Sequence, residues 1–527
     1  MTETIKGEVN LRRYLYFSVF SSGLVTLAVE MTAERLLGNV FGTSNLVWSS
    51  IIGLILIYLT AGYFVGGRLA DKHPNYKTFF LIMLLGAFTA GVVPLASKPV
   101  LRFAASAFDS LELGVLFGSF ATVMILFIIP ITLFGTMSPF AIRLAITDAD
   151  EAGKTSGRIY ATSTLGSFIG TFLPVLLFIP LVGTTYTFVI MSGYLMAVAL
   201  FGMAKSEGWK QALRWLWMPL LLAAFVWLWA SGPLKTTEGQ VFEQESSYNY
   251  IEVVERNEYV MLRLNDGQGV HSMYHPQVLD YAGPWSQFLV GPFFNSPGYK
   301  PEDVERIAII GLAAGTTARQ ATAVFGEIPI DGYEIDPAII AVGQEYFGMT
   351  MPNLNAVAAD GRWGLAHSEY QYSLIGIDAY RPPYIPWHLT TVEFFEVTRE
   401  HLTENGVLVI NVGRSNNDRS LIDALVTTLA QVYPSIHVMD IPYTFNSMVY
   451  ATIQPTSLEN LVQNYGELIV QPGVHPLLVT AIERTAVNYQ PLPRPTIVFT
   501  DDKAPIEWVV NRMVLTYVFS GDYQELK

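Results

Sequence analysis

Apolar stretches of about 20 residues recur through the first 231 residues and constrain the fold more than any other feature of the chain. A helix of that length crosses the roughly 30 Å hydrocarbon core of a bilayer. Only 14% of the residues are charged, whereas about 25% is typical of soluble domains. The sequence therefore predicts a multi-pass helical membrane domain with about seven spans, near 14–34, 46–66, 78–97, 113–135, 160–182, 185–203 and 214–231.

Charge divides the chain unevenly. Residues 1–232 carry 15 Lys and Arg against 11 Asp and Glu, whereas residues 233–527 carry 16 against 34. The acidic second half is expected to be water-soluble and to lack the basic face that binds nucleic acid. We expect the two halves to join near Gly232-Pro233.

The basic residues of the first half also predict its orientation. Twelve of them lie at the N-terminus and in alternate loops between the predicted spans, and three lie in the other loops. The positive-inside rule then places the N-terminus in the cytoplasm. The membrane is expected to be a bacterial inner or plasma membrane. Seven spans put the acidic half outside the cytoplasm, and one miscounted span would reverse this.

Glu30 and Glu34 lie one helical turn apart, within or at the end of the first span. Carboxylates at membrane depth are costly and usually face a cavity or a partner. Two interpretations stay open. These residues either form a cation or amine site, or lie at the interface and bond to neighbours such as Arg35.

The second half alternates short apolar strands with amphipathic helices, which is typical of a parallel α/β sheet. A predicted hairpin at 250–254 and 259–264 begins a small β-domain with a connecting helix over 233–300. A doubly wound domain with a C-terminal extension is expected over 301–527. Its predicted strands lie near 306–310, 328–334, 354–359, 373–378, 406–412, 435–440 and 447–453.

Polar or glycine motifs follow three of these strands. Gly311 and Gly315 let a backbone turn approach a ligand, and the helix that follows presents free N–H groups. Glu334 and Asp336 end the next strand, where an acid can bind ribose hydroxyls. Asp360-Gly361-Arg362 follows the third strand. The motifs predict an adenosine-type ligand at the carboxyl edge of the sheet, and the alternative is a structural rim of caps and turns.

Asp378, at the end of the fourth strand, would face the reacting part of such a ligand. It could deprotonate or hold an amine, or it could cap the following loop. Asp501 and Asp502 either complete an amine site or cap a turn. His271 and His275 lack a carboxylate pair and the chain has no Cys, so we expect packing or substrate-wall roles and no metal site.

The second half contains a series of short motifs in this order: Tyr248-Asn249-Tyr250, Leu264 to Gly267, Tyr274-His275, Gly311 to Gly315, Glu334 to Asp336, Asp360 to Arg362, and Asp378 to Tyr380. The first half contains Ala33 to Leu36, Val40 to Thr43 and Gly66 to Asp71, and Thr500 to Glu507 lies near the C-terminus. The motifs of the second half, in this order, resemble those of spermidine synthases, the aminopropyltransferases that use decarboxylated S-adenosylmethionine. The first half resembles the transmembrane part of fused transporter-like/spermidine synthase proteins, and Thr500 to Glu507 matches these proteins as well.

The resemblance implies a Rossmann-like methyltransferase/spermidine synthase-type domain and assigns roles to its residues. Glu334 would hold the ribose, Asp360 and Gly361 the adenine, and Asp378 the attacking amine. Tyr380 and Tyr274 join Asp378 as implied catalytic residues. The implied cofactor-binding residues also include Gly311, Gly315, Asp336 and Asn249, and the implied substrate-binding residues are Tyr248, Tyr250, His275, Asp501 and Asp502.

Three positions depart from the pattern of soluble spermidine synthases. The acid of the glycine loop is replaced by Ala313 or Ala314, a Gln by Asn249, and a second acid by Arg381. Two acids of the polyamine site are therefore missing.

Several functions remain open. The first is a membrane-bound aminopropyl-type transfer from decarboxylated S-adenosylmethionine, or S-adenosylmethionine itself, to an amine or polyamine, with release of methylthioadenosine. Intramolecular closure of an azetidine, a methyltransferase, and a polyamine or nucleoside transporter with a ligand-sensing domain are alternatives. The expected partners are the amine and the lipid bilayer, and a homo-oligomer is compatible with the sequence.

Overall fold

The computed structural model describes residues 2–41, 45–108, 114–229, 237–265, 269–380, 385–415, 418–510 and 512. The chain divides into two compact units. The first comprises Met1–Thr237 and Gln244–Tyr250, and the second comprises Glu238–Glu243 and Ile251–Lys527. The predicted join at Gly232-Pro233 lies outside the described residues.

The first unit is helical, as its apolar stretches predict. Within the described residues, six helical stretches are long and apolar enough to cross a membrane: Asn10–Asn39, Trp48–Lys72, Tyr76–Ser97, Ala121–Ala145, Ala152–Glu207 and Trp209–Leu228. The helices are α1 (Thr2–Phe41), α2 (Asn45–Lys72), α3 (Tyr76–Phe108), α4 (Gly114–Gly135), α5 (Met137–Ala145), α6 (Ala152–Leu173), α7 (Ile179–Glu207), α8 (Trp209–Leu213) and α9 (Trp217–Trp229).

Helix α6 runs parallel to α1. A Cβ atom on Gly166 would overlap the carbonyl of Phe20, and one on Gly170 would overlap the carbonyl of Leu24. A step of one helical turn along α6, from 166 to 170, therefore corresponds to a step of one turn in the same direction along α1, from 20 to 24. Glycines at these two positions allow the two backbones to approach closely.

Helix α7 runs antiparallel to α1. The hydroxyl of Tyr14 donates to the Val198 carbonyl at 2.7 Å, and the hydroxyls of Ser21 and Tyr194 are 2.8 Å apart. Since α6 and α7 run in opposite directions along α1, the chain reverses between them. Gly183 leaves the helical path there, with φ +78° and ψ 171°. The 56-residue stretch Ala152–Glu207 thus comprises two helices that run in opposite directions.

A four-stranded antiparallel sheet precedes the large one, with strand order β1-β2-β3-β4. Its predicted hairpin turns at Asn257 and Glu258, which both have positive φ values of 52° and 69°, typical of a two-residue hairpin turn. A 3₁₀ helix, Trp285–Phe294, follows. The strands are β1 (Gln240–Glu245), β2 (Tyr250–Arg256), β3 (Tyr259–Leu264) and β4 (Val270–Tyr274).

The second unit is built on an eight-stranded sheet with order β12-β10-β11-β9-β8-β5-β6-β7. The five strands from β9 to β7 are parallel, and β11, β10 and β12 are antiparallel. The strands are β5 (Ile307–Ile310), β6 (Ile330–Glu334), β7 (Leu354–Ala358), β8 (Tyr372–Ile377), β9 (Leu402–Gly413), β10 (Ser435–Asp440), β11 (Asn446–Thr452) and β12 (Tyr489–Gln490).

Helices cover both faces of this sheet, so its parallel strands are buried runs of Val, Ile and Leu. The architecture is Rossmann-like, as the sequence predicts, and each predicted strand lies within a few residues of an observed one. The helices are α10 (Thr316–Phe325), α11 (Pro337–Tyr346), α12 (Gly361–Ala366), α13 (Val392–Glu400), α14 (Ser420–Leu429), α15 (Leu458–Leu468) and α16 (Pro476–Val487).

Candidate active site

The polar motifs meet at the carboxyl edge of four neighbouring strands, in the order β8-β5-β6-β7. Backbone hydrogen bonds join the ends of these strands directly. The Asp378 amide donates to the Ile310 carbonyl at 2.8 Å, and the Gly311 amide donates to the Tyr333 carbonyl at 2.9 Å. The strand that ends at Glu334 pairs in the same way with the one that leads to Asp360. Neighbouring strands lie about 4.8 Å apart, so the predicted residues line one edge.

The glycine turn after β5 requires glycine at two positions. Gly311 and Gly315 both have φ +83°, a conformation that costs other residues about 1–2 kcal/mol. A Cβ atom on Gly311 would lie 2.5 Å from the Asp378 carbonyl oxygen. On Gly315 it would lie 2.6 Å from the side chain of Met349. The turn therefore packs directly against the strand end that carries Asp378.

Glu334 is buried and is held by the backbone of the glycine turn. Its carboxylate accepts hydrogen bonds from the amides of Ala313 at 3.0 Å and Asp336 at 3.1 Å. Burial raises the pKa of Glu334 to about 7, although these hydrogen bonds oppose the increase. A fixed carboxyl group at this edge can accept hydrogen bonds from a diol.

Asp336 has a local structural role. It is fully buried, and its carboxylate accepts from the Ala338 amide at 3.1 Å as the N-cap of α11. Its predicted cofactor-binding role stays a prediction.

Asp360 begins α12 and joins two segments. One carboxylate oxygen accepts from the Trp363 amide at 3.0 Å, and the other lies 2.8 Å from Nε2 of His388. The hydrogen bond with His388 is the main reason that the pKa of Asp360 is lowered. A Cβ atom on Gly361 would lie 2.3 Å from the side chain of Ile310, so any larger residue would force Ile310 to move. His388, which the sequence analysis did not single out, thus orients the predicted adenine-binding carboxylate.

Asp378 is oriented by a side chain from the adjacent strand β9. Asn411, 4% exposed, donates from Nδ2 to Oδ1 of Asp378 at 2.8 Å. Burial raises the pKa of Asp378 to about 6, and the Asn411 hydrogen bond opposes the increase. A carboxyl group with such a pKa is ionised at neutral pH and still basic enough to accept a proton. The sequence analysis did not single out Asn411. A polar residue inside the apolar run Val407–Val412 could have indicated it.

Tyr380 and Tyr274 lie near glycines. A Cβ atom on Gly413 would be 3.0 Å from the Tyr380 hydroxyl, and one on Gly348 would be 2.9 Å from the Tyr274 ring. Burial raises the pKa of Tyr380, and the charge of Asp378 adds to the effect. The catalytic roles of both tyrosines stay predictions.

His275 is used by the local fold. Its Nδ1 accepts from the amides of Gln277 and Val278, each at 3.1 Å. Its ring also packs on Tyr259, with 4.7 Å between ring centroids. Its predicted substrate-binding role stays a prediction.

Asp501 binds an arginine of the Asp360 motif. Both its carboxylate oxygens lie 2.7 Å from the guanidinium of Arg362, and Thr391 donates to it at 2.7 Å. Thr500 and Lys503 pair across the turn that contains Asp501 and Asp502. The structure thus ties Asp501 to Arg362 at this turn, and an amine-binding role for either aspartate stays a prediction.

Tyr248, Asn249 and Tyr250 belong to segment 244–250 of the first unit. Tyr248 is 46% exposed, whereas Tyr250 is buried. Their substrate- and cofactor-binding roles stay predictions. Among the departures from the resemblance, Ala313 lies in the glycine turn with φ +48°, and Arg381 lies outside the described residues.

No protein-family model matches the chain. Over 282 residues, 50% of the chain, it is 30% identical to a probable polyamine aminopropyl transferase of Bifidobacterium longum, and the match covers 61% of that relative. Over 465 residues, 85% of the chain, it is 23% identical to polyamine aminopropyltransferase 2 of Aquifex aeolicus, 89% of which is covered. A crystal structure of a probable spermidine synthase from Corynebacterium glutamicum aligns with 50% of this chain and 98% of that one, at 19% identity and a TM-score of 0.37.

The fold and the site define a Rossmann-like domain with Glu334, Asp360 and Asp378 at the carboxyl edge of its sheet. Over about half its length the chain is homologous to polyamine aminopropyltransferases. It spans about three fifths of the length of the Bifidobacterium relative. The resemblance of the first half to fused transmembrane proteins stays a prediction.

Proposed function

We propose that the chain is a membrane-bound aminopropyltransferase-like enzyme. It transfers an aminopropyl-type group from decarboxylated S-adenosylmethionine, or the corresponding group from S-adenosylmethionine, to an amine and releases methylthioadenosine. The observation that carries the proposal is the Asp378 carboxyl group, oriented by Asn411 beside the glycine turn. Homology to polyamine aminopropyltransferases supports the same assignment.

The reaction is a nucleophilic displacement. The lone pair of an uncharged amine forms a bond to the carbon next to the sulfonium, the carbon–sulfur bond breaks, and its electron pair neutralises the sulfur. The product amine then loses one proton. The thioether needs no acid to leave, so the protein mainly has to align the amine and exclude water. Asp378 has a pKa of about 6, so at neutral pH its carboxylate can hold the amine and accept the proton.

Replacing Asp378 tests this role directly. Asp378→Asn keeps the volume but removes the charge and the basic oxygen, so turnover should fall by about 10²–10⁴. Methylthioadenosine release, followed by mass spectrometry with each form of the substrate, measures it, and affinity for methylthioadenosine should change little. Asp150→Asn, at an exposed position in the first unit, is the matched control. An Asp378→Asn variant with wild-type turnover would contradict the assignment.

Azetidine formation is a second candidate function, because the glycine turn carries Ala313 and Ala314, one of which replaces the acid of the soluble spermidine synthases that the chain resembles. In this reaction the substrate's own amino group attacks, so no separate amine site is needed. The same assay separates the two reactions. Methylthioadenosine together with an azetidine, formed without added amine, would identify cyclisation.

We also propose that the first unit crosses the membrane seven times. Six apolar stretches support this count, since the stretch Ala152–Glu207 contains antiparallel helices α6 and α7. Seven crossings, with the basic loops in the cytoplasm, put the acidic half outside it.

The native chain contains no Cys, so a single introduced thiol reports the side of the membrane. Val470→Cys, at a position 78% exposed in the second unit, should react with an impermeant reagent in intact spheroplasts. Asp148→Cys, exposed in a loop predicted to be cytoplasmic, should react only after lysis. Labelling of both positions only after lysis would show an even number of crossings between them, and the reverse pattern would show an inverted orientation.

A further inference from the structure

Asn411 has a buried side-chain oxygen that the fold leaves without a partner. Its Nδ2 donates to Oδ1 of Asp378 at 2.8 Å, which leaves Oδ2 of Asp378 for a ligand. Because an ionised carboxylate only accepts hydrogen bonds, the amide must turn its nitrogen towards Asp378 and its oxygen away. That oxygen, Oδ1 of Asn411, is buried and accepts no hydrogen bond in the described part of the chain. An unpaired buried acceptor costs free energy, so it indicates a ligand or a water molecule at that place.

The hydroxyl of Tyr380 is a second buried oxygen without a hydrogen-bond partner among the described residues. Strands β8 and β9 are parallel and in register, with Asp378 opposite Asn411. Tyr380 and Gly413 lie two residues further along the two chains, and alternate residues of an extended chain face the same side. A Cβ atom on Gly413 would be 3.0 Å from the Tyr380 hydroxyl. The hydroxyl therefore lies on the side of the two strand ends that Asn411 and Asp378 share.

The space for this hydroxyl depends on glycine at position 413. The Gly413 backbone lies beside the hydroxyl, but no hydrogen bond of ordinary geometry joins them. Burial raises the pKa of Tyr380, and the charge of Asp378 raises it further. The hydroxyl is thus uncharged and close enough to Asp378 to feel its charge. Its oxygen remains available as an acceptor.

We propose that Oδ2 of Asp378, Oδ1 of Asn411 and the Tyr380 hydroxyl form an oxygen cup that selects a primary amine as the acceptor. A primary ammonium group has three N–H donors, one for each oxygen. After it loses a proton, two N–H groups still orient the amine while its lone pair faces the carbon next to the sulfonium. An N-methylated amine has one N–H fewer in each state, so it leaves one oxygen of the cup unpaired.

The inference rests on the proposed function, because it places the acceptor amine at Asp378. It adds the class of amine and a binding role for Tyr380 that the reaction chemistry alone does not require.

Calorimetry measures the selectivity of the oxygen cup without turnover. Full-length protein saturated with methylthioadenosine is titrated with putrescine and with N,N′-dimethylputrescine, in which both ends are secondary amines. Wild type should bind putrescine at least about tenfold more tightly, and Tyr380→Phe should lose most of this preference. Gly413→Ala, which crowds the hydroxyl without removing it, should give an intermediate preference. Tyr370→Phe, at a tyrosine that is 51% exposed, is the matched control.

Denaturant unfolding separates this role from a structural one. Tyr380→Phe removes a buried hydroxyl that has no partner in the described residues, so the variant should be at least as stable as wild type. Lower stability would assign the hydroxyl to the fold and overturn its role in the oxygen cup.

The binding data decide the inference separately from the proposed function. Absence of putrescine binding, equal affinity of wild type for the two amines, or an unchanged preference in Tyr380→Phe would overturn the oxygen cup. Wild-type protein that binds putrescine with the expected preference but releases no methylthioadenosine would refute the proposed function and support the oxygen cup.

Discussion

Gly311→Ala is the sharpest test of how the glycine turn positions Asp378. The added Cβ would lie 2.5 Å from the Asp378 carbonyl oxygen and 2.6 Å from the Ala379 nitrogen, both backbone atoms that no side-chain rotation can move away. The Cβ atom would also belong to a residue whose φ is +83°, a backbone conformation that is strained for any residue with a side chain. The substitution therefore combines backbone strain with steric overlap at the strand end that carries Asp378.

A second glycine separates these two costs. Gly473 has φ +91°, and a Cβ atom there would meet nothing within 4 Å. Gly473→Ala should cost only the positive-φ term, about 1–2 kcal/mol of unfolding free energy. Gly311→Ala should cost about 1–3 kcal/mol more, the usual range for an overpacked site. If the protein relieves the overlap by moving residue 378, turnover should fall as well.

Denaturant unfolding of the full-length protein in detergent, followed by tryptophan fluorescence, measures the two stabilities. Methylthioadenosine release measures the functional consequence. Equal stability of the two variants, together with wild-type turnover of Gly311→Ala, would refute the claim that the turn presses on the strand end of Asp378.

Two further predictions concern Glu334 and Asp360, the predicted nucleoside-binding residues. The pKa of Glu334 is raised from its ordinary value of 4.5 to about 7 in the folded chain. The folded state therefore binds the proton more tightly than the unfolded state, and the free energy of unfolding should fall by up to about 3 kcal/mol as pH rises from 4.5 to 7. Urea unfolding across this range should show a shallower decline for Glu334→Gln, and identical profiles would contradict the burial argument. His388→Ala should weaken methylthioadenosine binding about 3–10-fold in calorimetry, because Asp360 loses the 2.8 Å partner that orients it, whereas unchanged affinity would separate Asp360 from the nucleoside.

The sequence could predict the features that depend on neighbouring residues. An apolar run of about 20 residues predicts a helix long enough to cross a bilayer. Short buried runs such as Ile307–Ile310 are typical of central strands in a parallel sheet. Because parallel strands share one carboxyl edge, the chain order also placed Gly311, Glu334, Asp360 and Asp378 together. Even the hairpin at Asn257 follows from local pattern.

The reversal at Gly183 was only partly predictable. Two apolar spans, 160–182 and 185–203, were expected there, but the sequence did not indicate that the backbone leaves the helical path at Gly183. The opposite directions of α6 and α7 are visible only in their contacts with α1. Their packing depends on glycines that allow two backbones to approach closely. A glycine in the sequence does not indicate which residue it will contact.

Only the tertiary structure decided which side chains orient the candidate site. Asn411 and Asp378 are separated by 33 residues, His388 and Asp360 by 28, and Asp501 and Arg362 by 139. Within the first unit, Arg35 donates to the carbonyl of Tyr248, 213 residues away. Hydrophobic periodicity determines which face of an element is buried, because it reflects the geometry of one helix or strand. It cannot specify such pairs, because their distance depends on how whole elements pack.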